Sequence, residues 1–573
     1  MTTPSTFASS RSNRLVLLAA AIAVVAALSP RDLWSPDEPR YGRIAWEMQR
    51  GASPLVSHWN GELDAEKPPL GYWLMTAGGL AVGEVTPRAA RVPCALLAAL
   101  AVAAAGWLAT RWFRDRALGA TAALLFATGA LVLWNSSRAA LDLPMTAFAL
   151  LATAAGTLVL ERRSMLAAVG CGVALGLGLL VKGPHALYVP VFALAGWAIG
   201  ARRARALLDP RWLVALVAAA VVFGAWLVPA LREGGDAYRE RLLGQMASRM
   251  GGEREPHAHG FAFLIGLLFG AALPWTPAML VGALGPWRRA PAEDRAGLFA
   301  AAFGVVGPLL LLSIATSKRE LYLIPLLPCA SMLGAYALHR LAALRLARPL
   351  PYLAVAATAA TGLAAIAAPV LAPRLYPASR VEPVAGPALA AGVPAVALVV
   401  VGIGCLVAAA LAWRRRADAV AATRVSALVL GGAWALAAVF VLPVLDGTKT
   451  WDAAVAPVRA EARGARVVAV GFNDASLAWA LRPDEVRRLA PDPADAPAVL
   501  DALFAPGAER VLAAIKSPDL ARAKAAIPSL ESRARVLWER RVGPWVFSIL
   551  APREVAAGDL APPPVEPGAQ RVR

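Results

Sequence analysis

Long apolar runs separated by short polar connections fill the first 445 residues of the chain. A helix that crosses a bilayer needs about 20 largely apolar residues, and thirteen stretches approach or reach that length. They lie near residues 14–29, 89–110, 117–134, 140–160, 165–181, 185–200, 211–230, 260–283, 296–315, 321–337, 352–371, 388–412 and 424–445. The pattern predicts a mostly α-helical, polytopic membrane protein with about 13 transmembrane helices in a domain spanning 1–445.

Two segments depart from this pattern. Residues 70–83 (LGYWLMTAGGLAVG) are apolar but too short to span a bilayer, so we expect a juxtamembrane or re-entrant helix. From residue 446 the charge density rises, ARVVAVGF and ERVLAAIK are typical of buried strands, and ARVLWERRVGPWVFSIL is typical of a hairpin. These runs predict a small α/β domain over 446–560, followed by a disordered tail at 561–573.

Composition agrees with a membrane protein. Hydrophobic residues make up 58% of the chain, charged residues make up 17%, and the mean hydropathy is +0.57. A soluble globular protein is about 25% charged, so the composition excludes a soluble enzyme, a disordered chain and a coiled coil. The net charge of +19 is first explained by arginine in cytoplasmic loops, and it needs no nucleic acid.

The positions of the basic residues predict the orientation. If the N-terminus with Arg11 and Arg14 is cytoplasmic, the connections on that side are rich in arginine and contain no lysine, and the positive-inside rule favours this orientation. These connections are 111–116, 161–164, 201–211, 284–295, 338–350 and 413–424. The loop 30–88 and the domain from 446 are then expected outside, which is the periplasm in a bacterium. A cleaved signal peptide at the first span remains an alternative, since VAALS resembles a cleavage site.

The outer loop and the lysines carry the candidate chemistry. Long loops are usually functional or disordered, and the six aromatic residues between Trp34 and Trp73 argue against disorder. An interfacial helix pair with solvated charges is the alternative. Of the 57 basic residues six are lysines, and Lys67, Lys182 and Lys318 all lie at predicted outer ends of spans. A lysine ammonium is a good partner for phosphate, although ion pairing with nearby acids would also explain the placement.

Further polar residues on the same predicted face are open to two interpretations. Asp142 lies just inside a predicted span, where a carboxylate usually lines a cavity or pairs with a cation; an i,i+4 pair with Arg138 is the structural alternative. His257 and His259 have the spacing of a weak metal motif. The four cysteines lack metal-ligand spacing, so we expect them to be buried packing residues.

Five motifs in this order resemble glycosyltransferase family 39. They are PDEPRY, EKPP with a following YW, LDLPMTAF, KGPHAL and SKRELYLIPLLP. This GT-C superfamily includes the lipid A aminoarabinose transferases and the protein O-mannosyltransferases, and the resemblance covers roughly residues 10–445. It implies a glycosyltransferase in the bacterial inner membrane that moves a sugar from a polyprenyl phosphate to a lipid, glycan or protein acceptor at the periplasmic face, with inversion.

The resemblance also implies roles for particular residues. Asp37 is the expected general base, Glu38 is its companion, and Asp142 is a second acidic residue of the cavity. Lys67, Lys182, Lys318 and Tyr322 are expected at the donor phosphate, and the residues expected to position substrate are Arg40, Tyr41, Glu66, His257 and His259. No cofactor is expected, and a divalent metal at Glu66, His257 and His259 stays an alternative.

The chain differs from the aminoarabinose enzymes in one motif, and a second function competes with glycosyl transfer. The aminoarabinose enzymes often have Leu-Pro after the Ser-Lys pair, where this chain has Arg319 and Glu320, and this difference leaves the sugar undecided. The competing function is a transporter or flippase of a lipid-linked substrate. Ion-coupled transporters carry ionisable residues well inside their spans, whereas here these residues cluster at one predicted face. A common outer-face cavity would favour the transferase.

Overall fold

The computed structural model describes residues 6–251, 259–285, 287, 290–376, 385–462, 466–472, 474–482, 486–489 and 492–553. The predicted disordered tail at 561–573 and the candidate residue His257 lie outside the described residues. The chain divides into two compact units, the first ending at Thr450 and the second beginning at Trp451.

The first unit is helical. Its helices are α1 (Thr6–Ala27), α2 (Asp37–Gln49), α3 (Leu70–Val82), α4 (Pro87–Phe113), α5 (Arg116–Ala127), α6 (Ala130–Ser136), α7 (Asp142–Arg162), α8 (Met165–Lys182), α9 (His185–Gly200), α10 (Arg211–Gly251), α11 (Phe263–Ala271), α12 (Thr276–Leu284), α13 (Arg295–Ile314), α14 (Leu327–Arg340), α15 (Leu350–Leu375), α16 (Ala385–Leu389), α17 (Gly392–Arg414), α18 (Ala419–Phe440) and α19 (Asp446–Lys449). A two-stranded ribbon, β1 (His58–Trp59) and β2 (Glu62–Leu63), lies between α2 and α3.

Each of the thirteen predicted apolar stretches contains a helix or a bent helix pair. Within the described residues, nine helical segments are long and apolar enough to cross a membrane, and the bent pairs α5–α6 and α11–α12 raise that number to at most eleven. The two remaining stretches correspond to α1 and to the 16-residue α9. The prediction of a mostly α-helical, multi-pass membrane protein is confirmed, while a total of thirteen spans stays a prediction.

Small residues bring the apolar helices into close contact. A Cβ atom added to Gly172 of α8 would lie 2.2 Å from the carbonyl oxygen of Ala215 in α10. A Cβ atom added to Gly196 of α9 would lie 2.4 Å from the carbonyl oxygen of Phe299 in α13. Helices in a bilayer associate by van der Waals packing, for which small residues allow the closest approach, so the Ala- and Gly-rich sequence suits a tightly packed bundle.

The second unit contains a five-stranded mixed sheet with the strand order β4-β3-β5-β7-β6. Its strands are β3 (Arg466–Val470), β4 (Val486–Leu489), β5 (Val511–Lys516), β6 (Ala534–Val542) and β7 (Trp545–Pro552), and its helices are α20 (Asp452–Ala462), α21 (Ala475–Ala480), α22 (Ala496–Leu503), α23 (Ser517–Ala526) and α24 (Leu530–Arg533). β3 pairs with β4 and β5 in parallel, and β7 pairs with β5 and β6 antiparallel. The predicted small α/β fold at the C-terminus is therefore confirmed.

Candidate active site

The first turn of α2 contains two adjacent acidic residues whose surroundings differ. Glu38 is fully buried, and its carboxylate pairs with Arg31 at 2.9 Å, with Arg91 at 3.1 Å and with Arg138 at 3.7 Å. It also accepts a hydrogen bond of 2.8 Å from the backbone N–H of Ala139. Burial alone would raise the pKa of Glu38, but Arg31, Arg91 and Arg138 outweigh it and hold that pKa well below its usual range.

This arrangement corrects the expectation that Glu38 is a catalytic companion of Asp37. Both oxygens of the Glu38 carboxylate are bound by arginine, and no part of the side chain is exposed, so it has no access to a substrate. Its role is structural: it joins α2 to the loop before it, to α4 through Arg91, and to the segment before α7 through Arg138.

Asp37 lies on a different side of α2 and faces Arg319. The Arg319 guanidinium donates to both carboxylate oxygens, at 2.7 Å to Oδ2 and 3.3 Å to Oδ1. The two side chains stay 22% and 24% exposed. Burial raises the pKa of Asp37, but Arg319 first, and then Lys182 and Arg40, lower it further than burial raises it, so the group is ionised.

A second carboxylate lies near by, with its own cation. Asp142, the first residue of α7, forms an ion pair with Lys182, the last residue of α8. The Lys182 ammonium lies 5.5 Å from the ring centre of Tyr322, and the His185 ring lies 4.7 Å from the same ring. The alternative pair between Asp142 and Arg138 is not formed, because Arg138 contacts Glu38 and donates to the Trp34 carbonyl.

A third group connects α2 to the β1–β2 ribbon and the segment before α3. Arg40, one turn after Asp37, pairs with Glu66 and lies 3.6 Å from Asp64. Burial raises the pKa of Asp64, and Arg40 and Lys67 only partly offset this. Tyr41 and Tyr72 pack with ring centres 5.7 Å apart, and burial raises the pKa of both phenols well above the usual range.

Lys318 does not contact Asp37 or Asp142. Its ammonium is buried and donates to the backbone carbonyls of His259, at 2.7 Å, and of Ala315. The His259 ring stacks on Phe263 with ring centres 3.7 Å apart. Lys318 thus anchors the segment before α14, and the next residue, Arg319, reaches the carboxylate of Asp37.

The structure brings together several of the predicted site residues and adds two. Lys182 pairs with Asp142 and lies 5.5 Å from the ring centre of Tyr322, and Lys182 and Arg40 are close enough to Asp37 to lower its pKa. The residues that sequence reasoning missed are Arg319 and Asp64. One feature of the sequence could have indicated Arg319. In the motif SKRELY this chain has Arg-Glu where the aminoarabinose enzymes often have Leu-Pro. Within the described residues no group of three or more His, Cys, Asp or Glu side chains has the arrangement of a metal site.

Known proteins share both fold and sequence with this chain. A family model described as dolichyl-phosphate-mannose-protein mannosyltransferase matches residues 66–228. The crystal structure of ArnT from Cupriavidus metallidurans in the apo state aligns with a TM-score of 0.70, at 19% identity, over 95% of this chain and 98% of that chain. The structure of the same protein bound to undecaprenyl phosphate aligns with a TM-score of 0.68. The chain has the GT-C fold.

Curated relatives of the GT-C type agree with this result. The undecaprenyl phosphate-α-4-amino-4-deoxy-L-arabinose arabinosyl transferase of Erwinia tasmaniensis is 32% identical over 54% of this chain and 56% of its own length. The protein of that name from Pseudomonas aeruginosa is 32% identical over 57% of this chain and 60% of its own length. The match spans less than two thirds of these relatives. The predicted resemblance to GT-C glycosyltransferases is therefore confirmed as a likeness in fold and in part of the sequence.

Proposed function

We propose that this GT-C chain is an integral-membrane glycosyltransferase that transfers a sugar from a polyprenyl-phosphate donor to a lipid, glycan or protein acceptor. One observation carries the proposal: the ionised carboxylate of Asp37 is partly exposed beside the cations Arg319 and Lys182. A base next to fixed positive charge is what displacement of a phosphate leaving group requires. The relatives that are named for an undecaprenyl phosphate sugar donor support the donor class.

The reaction is a single displacement at the anomeric carbon of the sugar. Asp37 takes the proton of the acceptor hydroxyl or amine while that group forms a bond to the anomeric carbon. The bond from this carbon to the phosphate oxygen breaks, and the electron pair leaves with the polyprenyl phosphate. Because attack and departure are on opposite sides, the configuration inverts. Cations of the site stabilise the charge that develops on the phosphate.

The proposed location is the bacterial inner membrane, with a cytoplasmic N-terminus and the site at the periplasmic face. Two sequence features support it. The connections predicted on the cytoplasmic side carry arginine and no lysine, and three lysines lie at the predicted outer ends of spans. Lipid A is one acceptor to test, given the resemblance to the aminoarabinose enzymes. The proposal leaves the sugar open because Arg319 and Glu320 replace the Leu-Pro pair of those enzymes.

The test is single-turnover transfer by the purified protein in nanodiscs. The donors are undecaprenyl phosphate-linked 4-amino-4-deoxy-L-arabinose, mannose and galactose, and the acceptors are lipid A and an envelope extract. General base catalysis typically contributes about 10²–10⁴-fold, so Asp37→Asn should lower transfer by that order. The matched control is Asp236→Asn, an exposed carboxylate of α10, which should transfer as wild type does. Transfer by Asp37→Asn at the wild-type rate would contradict the proposal.

A further inference from the structure

Five basic residues of the described chain lie near Asp37 or in the segments before α3 and α14, and each already has an acidic side chain or a backbone carbonyl as its partner. Arg319 pairs with Asp37, and Lys182 pairs with Asp142. Arg40 pairs with Glu66 and Asp64, Lys67 is within electrostatic reach of Asp64, and Lys318 is bound to two backbone carbonyls. The pairs Arg319–Asp37 and Lys182–Asp142 are each neutral, so a donor phosphate meets no excess of positive charge from them. To gain a counter-ion there, the phosphate has to take a cation from its carboxylate.

The exposure of the pairs indicates which one opens. The side chains of Lys182 and Asp142 are 8% and 4% exposed, whereas those of Arg319 and Asp37 are 24% and 22% exposed. An exposed pair is worth less than a buried one because water screens it. Arginine is also better suited than lysine to exchange between these partners, since its planar fork fits a carboxylate and a phosphate equally well.

The backbone around Arg319 is held while the side chain has room. The ammonium of Lys318 binds the carbonyls of His259 and Ala315 on one side. On the other side the N–H of Tyr322 donates to the Arg319 carbonyl at 3.0 Å. The guanidinium can therefore change partner by rotation about its side-chain bonds, without movement of α14.

We propose, on the basis of the function proposed above, that Arg319 changes partner during the reaction, from the Asp37 carboxylate in the free protein to the phosphate of the lipid-linked donor. The same movement supplies the leaving group with a bidentate cation and releases the carboxylate that must accept a proton. Asp37 becomes the stronger base only when a donor is bound. Donor binding and base activation are thus coupled through one side chain, and the coupling is reciprocal.

If Arg319 moves from Asp37 to the phosphate, a substitution of Asp37 should change how tightly the lipid phosphate binds. Asp37→Asn removes the carboxylate that competes with the phosphate for Arg319, so the lipid phosphate should bind more tightly. Exposed ion pairs are typically worth a factor of about two to five in an equilibrium constant, so the gain should be of that size. Arg319→Gln removes the charge-assisted hydrogen bonds to the phosphate, and binding should weaken about tenfold or more. In the double variant the Asp37→Asn gain should disappear.

The experiment is a titration of the purified full chain in nanodiscs with undecaprenyl phosphate, with undecaprenol as the uncharged probe. The matched control is Arg50→Gln, which breaks the exposed Arg50–Glu84 pair at the other end of α2 and should not alter binding. Arg319→Lys keeps the charge without the fork and should bind the phosphate with intermediate strength. If Arg319→Gln does not fold, Arg319→Lys and Asp37→Asn still test the exchange. None of these variants should change the binding of undecaprenol.

Three results would overturn the exchange. The first is wild-type affinity for undecaprenyl phosphate in Arg319→Gln. The second is an unchanged or weaker affinity in Asp37→Asn, which would mean that Arg319 only orients the base. The third is an equal loss for undecaprenyl phosphate and undecaprenol, which would place the effect on the lipid chain. The proposed glycosyltransferase function fails separately, when wild type binds the lipid phosphate but transfers no sugar.

Discussion

At the scale of single residues, Asp37 and Glu38 differ because successive residues of a helix point about 100° apart, given 3.6 residues per turn. The helix α2 begins at Asp37, and it directs Glu38 to Arg31, Arg91 and Arg138 while Asp37 faces Arg319. The family resemblance selects Asp37 from the sequence. The role of Glu38 was beyond prediction, because two of its three arginines come from distant segments of the chain.

Glu38→Gln tests the structural role. The variant leaves buried arginines without their counter-charge, and removing one partner of a buried ion pair typically costs about 3–5 kcal/mol. The free energy of unfolding should fall by that order at neutral pH, measured by thermal unfolding in detergent, while Glu233→Gln at an exposed position of α10 should unfold as wild type does. Unfolding of Glu38→Gln at the wild-type temperature would contradict this role.

The same group predicts a pH dependence of stability. The pKa of Glu38 is lowered in the folded protein, so its contribution is fully present above the pKa of an unfolded glutamate, about 4.3. The contribution is lost as the pH falls from there toward the lowered pKa. The difference in unfolding temperature between wild type and Glu38→Gln should therefore narrow on acidification below about pH 4. A constant difference would mean that Glu38 acts through packing alone.

The dependence of the transfer rate on pH tests whether Asp37 is the base. The charged and titratable groups that act on it are Arg319, Lys182, Arg40 and Tyr41, and Arg319 lowers its pKa most among the cations. In Arg319→Gln the pKa of Asp37 rises, so kcat/KM for the donor should begin to fall at a higher pH than in wild type. The control Arg50→Gln should keep the wild-type profile. Superimposable acid limbs for wild type and Arg319→Gln would show that Asp37 is not the base.

At the scale of elements, the hydrophobic pattern predicted where helices form but not how they bend or meet. The stretches 117–134 and 260–283 were each predicted as one span, yet α5–α6 and α11–α12 bend by 68° and 118°. The role of Lys318 at the donor phosphate stays a prediction; what the sequence could not show is that its ammonium binds backbone carbonyls whose positions depend on the tertiary fold. Periodicity reports the preference of a local segment, whereas bends and carbonyl positions depend on neighbours distant in the sequence.

The packing of α3 against α4 offers a test at this scale. A Cβ atom on Gly78 would lie 2.1 Å from the Ala89 carbonyl oxygen, so Gly78→Ala forces α3 away and displaces the segment with Glu66 and Lys67. Overpacking of this kind costs about 1–3 kcal/mol, and both the unfolding temperature and the transfer rate should fall. In the control, Gly404→Ala of α17, no atom lies within 4 Å, so the substitution should be neutral or stabilising. A fully active, stable Gly78→Ala would show that this contact does not position the loop.

At the scale of the whole molecule, composition and motif order predicted the membrane class, the GT-C fold and a second α/β unit. The orientation of the chain in the membrane remains a prediction, made from connections that contain arginine and no lysine. A reporter fused at Arg573 should be periplasmic, because an odd number of spans from a cytoplasmic N-terminus ends outside. A reporter inserted after Ala417, in the connection 413–424, should be cytoplasmic. A cytoplasmic signal at Arg573 would require an even span count and would place the motif-bearing loops on different faces.

Asp37 is proposed to catalyse the transfer of a sugar from a polyprenyl phosphate, and this role can be tested in cells. The most direct measurement is mass spectrometry of envelope lipids, glycans and proteins from cells that produce either wild type or Asp37→Asn at equal levels. One glycosylated envelope species should be present with wild type and absent with Asp37→Asn, while the corresponding polyprenyl-phosphate sugar accumulates. Identical spectra from the two strains, with the wild-type protein folded in the membrane, would contradict this role.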